Sequence, residues 1–270
     1  MTLCHVSVMA KAIFSSFDDF SLDSVGSEAE LIPLMTSEDE EALEKEELPE
    51  VVPLLPVKNT VLFPGVVIPI TVGRDKSIQL IKDANKSKNP IGVVAQKDKK
   101  VEDPSINDLY EMGTVAQILR VLKMPDGSTT IIIQGKKRFK IENLIHTTPY
   151  LKVKISSIIE NKKEKKESEF KLTVESIKET AIKIINENQN IPSEASFAIK
   201  NIQSDSFLIN FVSSNMNLTV NDKQKILGSK NITDRALLCL KYINLEYQKL
   251  ELKNDIQSRV RNDLDQQQRE

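Results

Sequence analysis

Side chains able to do covalent or metal chemistry are sparse in this sequence and badly spaced. Cys4 and Cys239 stand near opposite ends, with no CxxC and no Cys/His ligand spacing. Neither a disulfide framework nor a zinc site is therefore expected, and both thiols read as free, Cys239 as a small residue on a helix face. The two histidines are His5, inside an acidic stretch, and His146, in the connection LIHTTPY, where an ordinary loop role is expected. A Ser/His/Asp or Cys/His device would have to be built around a single usable imidazole. There is no G-x-x-x-x-G-K-[ST], and with eight glycines in all no phosphate-cradling loop is visible. Carboxylates are plentiful but sit in charged runs, away from the apolar surroundings that would split the pKa values of an acid and base pair. The expectation is no catalytic residue, no bound cofactor and no metal within this chain, so its work is binding.

Charge narrows what could be bound. The first 50 residues hold thirteen Asp and Glu against Lys11 and Lys45, a net −11. The whole chain carries −2, so the remaining 220 residues carry +9. A basic body admits an anionic partner such as nucleic acid, but aromatic and basic residues are not interleaved as in single-strand binders. A solvated basic surface is the plainer reading. Residues 1–48 lack a sustained apolar period and cannot bury enough surface to offset the entropy of ordering, so they are expected to form an acidic, mostly disordered tail. Leu31, Ile32, Leu34 and Met35 are the candidates for a short partner-binding motif within it. No apolar run approaches the roughly 20 residues needed to cross a bilayer, and no signal peptide is visible, so the expected compartment is the cytoplasm with no membrane partner.

The elements that must position any binding surface fall into two periods. Residues 49–160 read as β. The run LLPVKNTVLFPGVVIPITVGRDKSI (54–78) mixes strand formers with Pro56, Pro64 and Pro69, which suits a small, strongly bent β structure whose prolines lie at edges and corners. Segments 114–124 and 129–143 flank Pro125-Asp126-Gly127-Ser128, a hairpin signal in which proline presets φ and glycine accepts positive φ. IGVVAQ (91–96) has the unbroken apolar character of a central strand, and Ile78, Ile81 and Ala84 at helical spacing place one short helix behind Arg74 and Asp75. After Glu160 the period becomes 3.6. Phe170, Val174, Ile177, Ala181, Ile184 and Ile185 share a stripe, and the preceding NKKEKKESE reads as the solvated first turns of that helix. Shorter helical segments follow at 197–202, 207–212 and from Thr219 to Gly228, so 161–230 is expected to be a helical subdomain. From 231 to 270 one long helix is expected, with apolar positions thinning beyond Leu252. Its polar end, without a cap, suggests a chain cut from something longer. The fold class is α+β.

Several of these segments carry a resemblance. LPVKNTVLFPGVVIPITVGRDKSI, GVVAQKD (92–98), YEMGTVAQILRVLKMPDG (110–127), IIIQGKKRFKI (131–141) and PYLKVKI (149–155) resemble, in order and spacing, the N-terminal region of the Lon family of ATP-dependent proteases. NDKQKILGSKNITDRALLCL and DLDQQQRE are similar to its helical segment and to the start of its linker toward the ATPase module. The acidic tail is longer than in many relatives. The resemblance implies a small twisted β-barrel of PUA-like type, followed by helices ending in a long one. It further implies a substrate-recognition and assembly region of a homohexameric AAA+ serine protease that degrades misfolded, damaged and regulatory proteins. ATP and Mg, and the Ser/Lys protease chemistry, belong to modules that these 270 residues do not include. Partners implied are unfolded or damaged proteins and the hexamer itself. The residues favoured for substrate contact are Arg74, Asp75 and Lys76 before the short helix, and Met124 and Pro125 at the hairpin tip. A free-standing module of the same fold with no motor attached, and a nucleic-acid binder, remain open beside this reading.

Overall fold

The structure is a computed structural model that describes residues 40, 42, 43, 45–124, 127–158, 167–188, 191, 192 and 194–267. The expectation for the acidic tail therefore lies outside the described residues up to 39, as do residues 161–166 of the Lys/Glu run. The chain forms strands β1 (Val51–Val57) and β2 (Val67–Val72), helix α1 (Asp75–Ser87), then strands β3 (Ile91–Ala95), β4 (Met112–Lys123), β5 (Thr129–His146) and β6 (Lys152–Ser157). Five helices follow: α2 (Glu167–Glu187), α3 (Glu194–Asn201), α4 (Asp205–Asn215), α5 (Val220–Leu227) and α6 (Ile232–Gln267).

The sheet closes because β5, at 18 residues, serves two neighbours in turn. Its first part pairs with β2, over Thr129–Gln134, and its later part, Phe139–His146, pairs with β6. Since β6 also pairs with β1, the order β5-β4-β3-β1-β6 returns to β5, and β2 is attached outside that ring. Register shifts in both the β4/β5 and β5/β6 ladders supply the bends that closure needs. Where the walls come closest the chain uses glycine. A Cβ on Gly135 would lie 2.2 Å from the Phe63 carbonyl oxygen, and one on Gly113 2.4 Å from that of Val93.

The prolines fit because each flank of β1 is paired over only half its length. Val51–Pro53 pair antiparallel with β6, and Leu54–Val57 pair parallel with β3. The Leu54 N–H donates to Leu151 O at 2.8 Å, and Val57 O accepts from the Gln96 N–H at 2.9 Å. Even-numbered residues of β1 thus face the β6 side and odd-numbered ones the β3 side. Pro56 turns its missing donor to a flank with no strand. Pro53 turns its own toward β3 just before that pairing begins. Pro69 lies on β2, which pairs with β5 alone.

One face of β1 and its neighbours feeds a cluster of Val52, Leu54, Val94, Val115, Phe139 and Val153. The other feeds a larger one, in which Leu55, Val57, Phe63, Ile81, Ile131 and Ile133 are continuous with Ile177, Phe207, Ile226 and Ile243 of the helices. Barrel and helices therefore share a core. Polar ties reinforce the junction. Buried Arg138 of β5 donates through Nη1 to the carbonyls of Leu227 and Ser229, at 2.7 and 2.6 Å. Gln224 of α5 donates to Met112 O at 2.5 Å, and Asn210 of α4 to Pro64 O at 3.2 Å.

Two of these helices open on side-chain caps. Ser204 accepts from the Phe207 N–H, and Thr219 from the Asp222 N–H. Gly228 ends α5 with φ −76°, and a Cβ there would stand 3.0 Å from the Gln224 carbonyl oxygen. The long helix buries Ala236, Cys239 and Ile243 but leaves Leu252, Ile256 and Val260 exposed. Burial pushes the Cys239 thiol up to about 12, which leaves it protonated and unreactive at neutral pH. His146 is not in a loop. It is the exposed last residue of β5, opposite Lys152, because the strand continues up to the Thr147-Thr148-Pro149 turn to complete the pairing with β6. Just before β1, Leu43 and Leu48 rest against the two clusters and Glu46 pairs with Lys136 at 3.2 Å.

Candidate functional site

The residues at the start of α1 sit between two adjoining clefts of about 230 and 580 Å³. The smaller is bounded by Leu80, Asp103, Tyr150 and Leu151, the larger by the ends of β1 and β2. Pro56, Arg74 and Ser77 line both. Arg74 precedes the first helical turn in extended conformation, and its guanidinium turns back across the open flank of β1. Nη1 donates to Pro56 O at 3.3 Å and Nη2 to Gln96 Oε1. Gln96 is itself buried and donates to Val101 O at 2.9 Å, so this one chain of bonds holds the loop after β3 against the end of β1. Burial pulls the Arg74 pKa down, and the nearby Glu102 and Asp103 carboxylates oppose that. The guanidinium remains charged at any ordinary pH.

Asp75 is exposed at the first position of α1, where a carboxylate meets the positive end of the helix dipole. Lys76 is exposed and bridges to Asp103 at 2.5 Å; Lys58 bridges to Glu102 at 2.8 Å. Such exposed pairs contribute little to stability, typically below about 1 kcal/mol, and they are free to exchange partners. The rim therefore offers cations, matching acids and a floor of proline and leucine.

Met124 is half-buried at the end of β4 and lines neither cleft. Its N–H donates to Ser128 O at 2.9 Å and its carbonyl accepts from the Gly127 N–H at 3.0 Å, with Gly127 at φ 86°. Pro125 lies outside the described residues. Arg74, Asp75 and Lys76 thus form one group, and Met124 belongs to another surface, the β4–β5 hairpin. That surface includes Leu119 and Val121, 44% and 36% exposed, which the sequence reading passed over. The signal was present in LRVLK, yet a bulge at Leu119 shifts the alternation and hides which residues point outward. Among the described residues no group of three or more His, Cys, Asp or Glu could hold a metal ion, and no helix is long and apolar enough to cross a membrane.

The fold places the chain in a class first. It superposes on the N-terminal domain of the Mycobacterium avium complex Lon protease with a TM-score of 0.60, covering 72% of this chain and 98% of that one at 20% identity. A Lon N-terminal domain protein from Xanthomonas campestris gives 0.50 at 15% identity. At such identities the likeness speaks for the fold alone. Sequence goes further: residues 51–244 match the family described as the ATP-dependent protease La (LON) substrate-binding domain, and the chain belongs to that family. It is 60% identical over 255 residues to the Lon protease of Flavobacterium johnsoniae and 48% identical over 241 residues to that of Cytophaga hutchinsonii. It covers 94% and 89% of its own length in these matches, and spans about a third of the length of the relatives, 31% and 30%.

Proposed function

We propose that these residues engage unfolded polypeptide and pass it to the unfolding and cleaving parts of a longer, ATP-dependent serine protease. The observation that carries this reading is the match of residues 51–244 to the substrate-binding domain family. The exposed apolar residues on the hairpin and, on a separate surface, the rim of exchangeable ion pairs fit a binding role. Relatives about three times longer favour a protease context over a free-standing module. In this reading ATP and Mg²⁺ act in the longer protein, which works as a cytoplasmic homohexamer on misfolded, damaged and regulatory proteins. Grip must be weak, since the substrate is released onward. A dissociation constant of about 10–100 μM, roughly 5.5–7 kcal/mol, meets that need.

The experiment is capture of reduced, carboxymethylated α-lactalbumin by the 270-residue chain without nucleotide, read by fluorescence anisotropy. Binding in that range, absent for native α-lactalbumin and weakened in Lys76→Ala or Met124→Ala, supports the reading. No binding at several hundred micromolar, or equal binding of the native protein, refutes it.

A further inference from the structure

We propose that the outer edge of β4, residues 117–123, takes up an extended peptide as an added β-strand; the proposal rests on the polypeptide-binding reading above and specifies its mode. β3 pairs with β4 only up to Ala116, opposite Ile91. From Gln117 to Lys123 the partner of β4 among the described strands is β5, on one side. Among the described strands none lies along the other side.

Which backbone groups point outward follows from the hairpin. Met124 is bonded to Ser128, so the two-residue repeat turns Leu122, opposite Thr130, and Arg120, opposite Ile132, toward β5. Val121 and Lys123 then turn their N–H and C=O groups away from β5, to the open side. Seven residues of strand make an edge about 23 Å long. Another open edge, on β2, carries Pro69, whose missing N–H discourages pairing. No proline interrupts β4 from Met112 to Lys123. Lys123, exposed at the end of this edge, sets a cation beside it that selects as well as protects.

The occupant is set by that chemistry. Backbone donors and acceptors call for an extended segment, exposed Leu119 and Val121 for β-branched or aromatic residues on it, and exposed Lys123 for an acidic neighbour. Such segments exist in unfolded chains and are paired or buried in native ones, which fits discrimination between the two.

The test uses the 270-residue chain and a fluorescein-labelled nonapeptide alternating Val with Thr and Glu. Val121→Pro removes the outward N–H and cuts no β4–β5 bond, while Val121→Thr keeps the N–H and replaces a methyl by a hydroxyl. Strand addition requires that V121P weaken binding about tenfold and V121T less than twofold. The same nonapeptide N-methylated at alternate residues along one edge must lose binding at least tenfold, and exchanging its Glu for Lys must weaken it at low salt. V121P binding like wild type, or V121T losing as much as V121P, overturns the proposal in favour of simple patch contact. If V121P does not fold, as judged by circular dichroism, the N-methylated peptide still decides: equal binding overturns strand addition. Carboxymethylated α-lactalbumin separates the two levels. A wild-type chain that fails to bind it sinks both readings. Capture of it that the nonapeptide does not compete sinks strand addition alone.

Discussion

Replacing Arg138 by methionine probes the joint between barrel and helices. Arg138 is 3% exposed, and its Nη1 donates to the carbonyls of Leu227 and Ser229 at 2.7 and 2.6 Å, at the turn between α5 and α6. A hydrogen bond from a charged donor contributes about 1.5–3 kcal/mol, but two bonds from one nitrogen count for less than twice that. Methionine fills part of the volume and relieves the desolvation of a buried cation, while two carbonyls lose their donor. The net loss is about 3 kcal/mol. For a chain of this size each kcal/mol shifts Tm by about 2–4 °C, so R138M is expected to melt roughly 6–12 °C lower. Calorimetry or circular dichroism melts give the number, and hydrogen exchange gives the location: amides of Gly228 and Ser229 should exchange faster while those of the β3/β4 ladder hold. A drop of less than 2 °C, or faster exchange spread evenly over the barrel, would refute the claim that this side chain fastens the two parts.

Two further outcomes follow from geometry and charge. Gly135→Ala places a methyl 2.2 Å from Phe63 O, where backbone must move, and should cost about 2–4 kcal/mol in urea unfolding; a loss under 1 kcal/mol would mean the loop at Phe63 yields easily. Hydrogen bonds from Lys225, Thr219 and Tyr242 hold the Asp222 carboxyl down at about 2. A depressed carboxylate stabilises above its ordinary pKa near 4 and loses that contribution as pH falls toward 2. After allowance for solvent screening this is about 1 kcal/mol. Asp222→Asn should therefore melt lower than wild type at pH 7 and match it near pH 2; a gap that is constant with pH would contradict the assignment.

Most of the architecture was legible because its causes are local. The 3.6-residue stripe from Phe170 to Ile185, the helix start at Thr219 and the glycine at the hairpin each specify a shape through nearest neighbours. Closure of the sheet was less legible. Nothing within β5 announces that its first and last residues serve different strands, since that depends on bulges formed only against β4 and β6. Long-range polar ties were likewise invisible: Arg138 reads as one more surface cation in QGKKRFK until the helices cover it. At the candidate site, Arg74 and Lys76 could be singled out from the chain, but their acids, Glu102 and Asp103, come from a loop about 27 residues away. Recognising Leu119 and Val121 needed the bulge, which carries no sequence mark of its own.

The long helix has a mechanical corollary. It is rooted where Arg138 grips the turn ahead of it and where Arg235, 1% exposed, meets Asn210 at 3.2 Å. Its 36 residues extend about 54 Å from that root. Its first half is packed into the core, so the part that projects is residues 251–267, about 26 Å, and a pivot of 10° there would swing the far tip by about 4.5 Å. The helix is thus an arm clamped along its first half, so rearrangement of the helices packed there is carried outward to its distal end.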